Sequence, residues 1–276
     1  MPELPEVEIV TRHLRSLVTG RTIAEARLLR ERLSPTPSTE FARALAGGVI
    51  RNIHRRGKNI LIDLDNGVTL LTHLRMSGRF MLVPDEADEP RFTHAVFRFD
   101  DGSKLLFHDQ RHFGLMKLIP TADLFLDGSL SALAPEPFGD DFSPAYLHST
   151  LKRSARDIKS ILLDQTRVCG VGNIYASEAL FLAGIHPSMR SNRITRPRAA
   201  RLYDAILRVL SATIEIGEGI TPDPLDIGGN IYGNASEAEW HVYGREGMVC
   251  PNCSSQIFRI KQAGRSTFLC RKCQRR

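Results

Sequence analysis

The chain has 276 residues, a length that suits one large or two modest domains. A hydrophobic share of 42% beside 25% charged residues excludes a mainly disordered chain. The absence of any apolar run of about 18 residues leaves nothing expected to span a membrane. The start, Met1-Pro2-Glu3-Leu4-Pro5-Glu6, has no apolar stretch of the kind a secretory signal needs, which points to a cytoplasmic protein. The net charge of +6 is unevenly placed: Glu246 to Arg276 carries seven basic residues and one acidic one, and the other 245 residues sum to zero. A basic tail on a neutral body is the footprint of a polyanion partner, with a merely solubilising tail as the plainer alternative.

In chain order, Val7, Val10, Leu14 and Leu17 recur at spacings of three and four, and Gly20 follows, which predicts an opening helix. Its first turn holds two prolines and two glutamates, residue types suited to a helix N-terminus. Eight short segments of strand character come next: Ile23 to Leu29, Val49 to His54, Ile60 to Leu64, Val68 to His73, Arg79 to Val83, His94 to Phe99, Lys104 to His108 and Leu115 to Ile119. Turn sequences such as Asp65-Asn66-Gly67 and Asp100-Asp101-Gly102 separate them, a density that predicts a β-sandwich or barrel. Pro135, Pro137, Gly139 and Pro144 mark a linker, and helical patterns follow at Tyr146 to Arg153, Ile158 to Leu163, Asn173 to Ala183 and Arg198 to Gly217.

Four of the five cysteines form two pairs, Cys250-x-x-Cys253 and Cys270-x-x-Cys273, with sixteen residues between them. This spacing predicts one tetrahedral zinc site, each pair aiming two thiolates at one ion and the spacer long enough for a β-hairpin. Four thiolates close the coordination shell, so the zinc is expected to be structural. A disulfide framework is the alternative, and a cytosolic setting disfavours it. Cys169 reads as a small buried residue.

The N-terminus carries the sharpest chemistry. Methionine before proline is normally removed, which leaves Pro2 as a free secondary amine. An α-amino group has a pKa of roughly 7.7–8.0, so part of it is unprotonated near neutral pH. Condensation of a secondary amine with an aldehyde carbon gives a cationic iminium, a strong electron sink. Glu3 stands beside it as a proton-transfer group. Taken alone, the dipeptide is more simply a Pro-Glu helix start.

Other segments change that balance. Met1-Pro2-Glu3-Leu4-Pro5-Glu6-Val7-Glu8, Arg55-Arg56-Gly57-Lys58, His73-Leu74-Arg75-Met76-Ser77-Gly78, Asp109-Gln110-Arg111-His112-Phe113-Gly114, Gly170-Val171-Gly172-Asn173-Ile174-Tyr175-Ala176 and the four-cysteine hairpin follow one another in this order. Six motifs in this order resemble the formamidopyrimidine-DNA glycosylase family of bacterial base-excision repair enzymes. The resemblance implies an α+β multidomain chain, with an N-terminal antiparallel β-sandwich carrying an N-terminal helix, then a helical helix–two-turn–helix domain and a zinc-finger β-hairpin. The expected boundaries are 1–130 for the catalytic sandwich, 131–145 for the linker, 146–245 for the helical domain and 246–276 for the zinc finger.

The implied activity is that of a bifunctional glycosylase and abasic-site lyase acting on double-stranded DNA that contains a damaged base or an abasic site. The implied species is a monomer, nucleoid-associated when acting. The target nucleotide is turned out of the duplex because its sugar carbon cannot be reached inside the stack. By this resemblance Pro2 is the nucleophile, Glu3 the proton donor and Glu6 a supporting group, and Lys58 assists β-elimination. Arg265 grips phosphates and aids δ-elimination. His73 resembles a phosphate ligand. Met76, Arg111 and Phe113 resemble the three residues that fill the space left by the flipped nucleotide. Gly170 to Ala176 resembles a phosphate-binding loop, with Asn173 opening a helix. Tyr243 and Arg259 are implied phosphate contacts, and His94 and Arg153 further DNA-binding residues. The Arg111 and Phe113 motif favours the purine-lesion branch over the endonuclease VIII-like pyrimidine branch.

One segment departs from the family pattern. Where a loop rich in glycine and threonine would hold the flipped purine, this chain reads Gly219-Ile220-Thr221-Pro222-Asp223-Pro224-Leu225-Asp226-Ile227-Gly228-Gly229-Asn230. Pro222 and Pro224 have no N–H to offer, and Asp223 and Asp226 place negative charge where an electron-rich base would sit. An abasic-site lyase with weak or redirected base recognition is therefore one alternative, and a catalytically silent damaged-DNA-binding protein a second. An N-terminal-proline enzyme of the tautomerase type is a third, and the zinc hairpin speaks against it.

Overall fold

The computed structural model describes residues 1–228 and 240–275. The chain divides into two compact units, Met1–Ser131 with the described part of Ile216–Ala235, and Ala132–Glu215 with the described part of Ser236–Arg276.

The first unit begins with helix α1, Leu4–Val18. Pro5 lies in the first turn, where its missing N–H costs nothing. Val7, Val10, Leu14 and Val18 are all buried, as the period requires. Eight strands follow: β1 Ile23–Leu28, β2 Ile50–Arg56, β3 Asn59–Leu64, β4 Val68–His73, β5 Gly78–Pro84, β6 Thr93–Phe99, β7 Ser103–Asp109 and β8 Leu115–Pro120. They form two antiparallel four-stranded sheets, ordered β1-β6-β7-β5 and β2-β3-β4-β8. The shared core is built at period two from Ile60, Ile62 and Leu64 of one sheet and Phe97, Phe99, Leu105 and Phe107 of the other. All eight expected strands are present within a residue or two. The pattern did not predict helix α2, Ser38–Leu45, which buries Phe41 and Leu45 in the same core. A four-residue helix, α3, spans Gly128–Ser131.

The second unit is helical, with α4 Pro144–Lys152, α5 Ile158–Leu162, α6 Asn173–Leu182 and α7 Arg196–Glu218. Pro144, expected in the linker, is instead the first residue of α4, and Ser143 caps that helix by accepting from the Tyr146 N–H at 3.1 Å. Strands β9, Phe258–Gln262, and β10, Arg265–Leu269, make the expected hairpin. Its two-residue turn, Ala263-Gly264, has φ of +47° and +77°, the left-handed pair that suits a tight hairpin.

The helical pattern of α7 ran through one expected domain, 146–245. In the structure, the described part of Ile216–Ala235 groups with the first unit. Gly217 lies so close to Ile9 that a Cβ there would stand 2.1 Å from its Cδ1. Ile227 exchanges backbone hydrogen bonds with Phe80. These close approaches have no signature in hydrophobic period.

Candidate active site and nucleic-acid interface

Pro2 is buried and Met1 is exposed. Glu3 and Glu6, each 3% exposed, form a reciprocal cap at the start of α1. The Glu3 backbone N–H donates to Glu6 Oε2 at 2.8 Å, and the Glu6 N–H donates to the Glu3 carboxylate. Both carboxylates beside Pro2 are thus held by main-chain groups at the positive end of a helix.

Lys58 lies in the two-residue turn between β2 and β3, with Gly57 at φ +60°, and is 6% exposed. This turn is tied to α1. Arg55 donates to Glu8 at 2.8 Å and to the Gly57 carbonyl at 3.0 Å, and Glu8 also takes Arg12 at 2.8 Å. Burial raises the Glu8 pKa, but the two guanidiniums outweigh it and hold the carboxyl below its usual range. His73 ends β4. Burial, and then the Arg75 and Lys58 cations, push its pKa down to about 3. The ring is neutral, and its Nδ1 accepts the Arg75 N–H at 3.0 Å.

Two turns beside β5 and β7 carry the residues expected to enter the duplex. Met76 is 38% exposed and Phe113 56% exposed, and the exposed Arg111 guanidinium lies 5.4 Å from the Phe113 ring centre. Asp109 has no exposed surface. Its carboxylate accepts from the Ser77 hydroxyl, from the Arg111 N–H at 3.1 Å and from the Gly114 N–H at 2.7 Å. Burial opposes its charge, yet these donors, together with the Phe113 N–H, keep its pKa low. His94, expected among the DNA contacts, is 5% exposed, with Nε2 at 2.9 Å from the Asp109 carbonyl. Its place in the fold is behind the Arg111 turn. Asp109 and Ser77 were visible within their motifs, but no sequence pattern showed that the Asp109 carboxylate turns inward.

The loop after α7 is pinned along β5. Phe80 and Ile227 pair, and Arg79 reaches Asp226 at 3.2 Å. Asp223 accepts from the Leu225 N–H at 2.9 Å. The two aspartates expected to oppose an electron-rich base are thus engaged, one with a cation and one in its own turn. Gly229 and Asn230 lie outside the described residues.

In the second unit, Asp157 caps α5, and the Gln165 side chain braces the loop before α6 by accepting from Gly170 N–H at 2.9 Å and donating to Val171 carbonyl at 2.8 Å. Asn173 opens α6 and donates to the Ser266 carbonyl of β10 at 3.0 Å. Lys159, 1% exposed, donates to Ser177 at 3.1 Å and to Thr267 at 2.8 Å. Glu178, fully buried, accepts from the backbone N–H groups of His241, Val242 and Tyr243 at 2.8–2.9 Å. No sequence pattern marked Glu178, the one charged residue of its helix. Tyr243 packs edge-on against Phe268 at 5.1 Å. Arg265 is exposed beside the hairpin turn, Arg153 is exposed at the end of α4, and Arg259 pairs with Glu246 at 2.9 Å.

The sulfurs of Cys250, Cys253, Cys270 and Cys273 all lie within 4.8 Å of one another. The Cys250–Cys273 and Cys253–Cys270 separations are 3.8 and 3.4 Å. A tetrahedron of sulfurs each about 2.3 Å from a metal has edges of about 3.8 Å, so the four thiols fit one metal ion. The Ser255 N–H and hydroxyl lower the Cys253 pKa to about 6, which favours its thiolate.

Comparison with known proteins places this geometry. Residues 1–116 match the formamidopyrimidine-DNA glycosylase N-terminal domain, and residues 133–224 match the formamidopyrimidine-DNA glycosylase H2TH domain. The chain is 40% identical to the formamidopyrimidine-DNA glycosylase of Bacillus licheniformis and 42% identical to that of Heliobacterium modesticaldum, with 100% of each chain covered. It superposes with a TM-score of 0.90 and 33% identity on the Lactococcus lactis enzyme non-covalently bound to DNA containing an abasic site, covering 99% of this chain and 100% of that one. On the complex of the Lactococcus lactis enzyme with DNA containing N7-benzyl-Fapy-dG the TM-score is 0.91, with both chains fully covered. Two matched domains, end-to-end identity near 40% and the shared fold together place this chain in the formamidopyrimidine-DNA glycosylase family.

Proposed function

We propose that this chain excises damaged bases from duplex DNA and cleaves the abasic site through an iminium on Pro2. The observation that carries this reading is the buried Pro2 beside the helix-capping pair Glu3 and Glu6. Once Met1 is removed, the Pro2 nitrogen is a secondary amine with an unshared pair. It attacks C1′ of the flipped sugar and the damaged base leaves. Glu3 gives a proton to the ring oxygen as the ring opens, and the cationic iminium forms. Loss of the C2′ proton then expels the 3′ oxygen, and a second elimination expels the 5′ oxygen. Lys58 assists the first elimination and Arg265 holds phosphate for the second. Glu6 keeps the Glu3 backbone in place.

The remaining proposed contacts fall into two sets. Met76, Arg111 and Phe113 fill the vacated space, with His94 behind them. His73, Asn173, Tyr243, Arg259 and Arg153 meet phosphates, and Arg259 must leave Glu246 to do so. Cys250, Cys253, Cys270 and Cys273 hold one zinc ion, which supplies a structural cross-link and takes no part in the reaction. The bacterial relatives support a cytoplasmic setting. Among the described residues no helix is long and apolar enough to cross a membrane.

A second reading keeps the lyase and redirects base recognition. Pro222 and Pro224 offer no N–H, and the Arg79–Asp226 pair holds this segment on β5. Borohydride reduction in the presence of two duplexes tests both readings. An abasic duplex is expected to give a covalent adduct at Pro2, and a chain of confirmed mass without Met1 that gives none would overturn the proposal. With 8-oxoguanine opposite cytosine, an adduct supports ordinary purine excision. An adduct on the abasic duplex alone supports the second reading.

A further inference from the structure

We propose that Asp109 and Ser77 are positioning residues that lock the Met76 turn and the Arg111–Phe113 turn into one preformed wedge. This rests on the reading above, in which those three side chains occupy the duplex.

Four observations converge on it. The first is the hydrogen-bond pattern. Ser77 Oγ stands between the turns, donating to Asp109 Oδ1 and accepting from the Arg111 N–H at 3.0 Å. Asp109 then spreads over the second turn, taking the N–H groups of Arg111, Phe113 and Gly114. A buried carboxylate costs energy unless its lone pairs are met, so this arrangement resists partial opening.

The second is backbone conformation. Arg75 at φ +56° and His112 at φ +60° are left-handed, a region that L residues avoid. Each directly precedes an exposed apolar residue, Met76 in one turn and Phe113 in the other. Something must hold both turns in this form, and the Asp109 carboxylate bonds the backbone on both sides of His112.

The third is the floor. A Cβ on Gly78 would reach the Phe107 ring at 2.9 Å, and one on Gly114 would reach it at 2.8 Å. Both turns therefore rest on one aromatic ring.

The fourth is exposure. Two large apolar side chains stand out in water on adjacent turns, where mobile turns would let them fold down onto the surface. A wedge ordered before binding avoids paying that ordering entropy on the DNA.

The test uses a duplex with a tetrahydrofuran abasic analogue opposite 2-aminopurine, whose fluorescence reports its stacking and on which no bond is broken. Wild-type binding should change the fluorescence, and Ser77→Ala should lose at least half of that change. Single-turnover excision of a damaged base by Ser77→Ala should slow about tenfold, the scale of one lost hydrogen bond to a charged group. Ser77→Thr, which restores the hydroxyl, should recover both signals. Asp109→Asn turns an amide N–H toward a backbone donor and should resemble Ser77→Ala. Wild-type fluorescence in either Ser77→Ala or Asp109→Asn would overturn the proposal, as would failure of Ser77→Thr to recover. Failure of wild-type borohydride trapping would instead sink the catalytic reading and leave the fluorescence comparison intact.

Discussion

At the scale of single residues, His73 shows how burial sets a protonation state. Its Nδ1 accepts a main-chain N–H, so the neutral ring keeps its proton on Nε2 and can donate to a phosphate. With a pKa near 3 in the fold and near 6.5 unfolded, the unfolded chain binds a proton that the folded one refuses. Stability contributed by this site is complete above about pH 6.5 and is lost as pH falls toward 3, at up to about 1.4 kcal/mol per pH unit. His13, His94 and His108 are shifted in the same direction, chiefly by burial. Urea unfolding of His73→Gln between pH 7 and 5 should lose less stability than the wild type, and equal losses would show that His73 titrates normally. Pro2 and Glu3 stood out as candidates in the sequence because an N-terminal secondary amine beside a carboxylate is rare chemistry, and Lys58 because its local motif resembles that of the family. Asp109, Glu8 and Glu178 could not, since their roles depend on donors brought by distant elements: Ser77 for Asp109, Arg55 for Glu8 and the 241–243 backbone for Glu178.

At the scale of elements, the four-cysteine hairpin has its own prediction. Two five-residue strands with a core of Phe181, Val242, Ile257 and Phe268 bury little, and small modules of this kind depend on their metal. Metal analysis should find one zinc per chain. Removal with a strong chelator should weaken duplex binding at least tenfold and collapse the hairpin's amide protection in hydrogen exchange, whereas unchanged protection would separate the hairpin from metal. The eight strands were legible because apolar period two and Asp/Asn-Gly turns agree along residues 23–119. Helix α2 was not, because eight residues bearing two buried side chains are too short for a period to register. The start of α4 was misplaced because Pro144 suits a linker and a first helical turn equally well.

At the scale of the whole molecule, charge placement sets the DNA affinity. Each neutralised phosphate adds about 0.9 to the slope of log affinity against log salt. Arg265→Ala should lower that slope by about one, measured by fluorescence anisotropy between low and moderate salt, and an unchanged slope would remove Arg265 from the interface. The return of the chain after α7 to the first unit was invisible to helical patterning, because it rests on single contacts: a glycine against Ile9, a bridge to Phe80 and the Arg79–Asp226 pair. The buried polar residues of the second unit bear on its modularity. Lys159 and Asn173 each donate to β10, and Glu178 accepts from residues 241–243. The hairpin is therefore not a cassette that can be cut off or exchanged between relatives at a loop. Truncation before residue 240 would strip partners from an inward-facing lysine and a fully buried glutamate together, and the helical remnant would be a destabilised, aggregation-prone chain. A workable chimera must carry Lys159, Asn173 and Glu178 across with the fingers they serve.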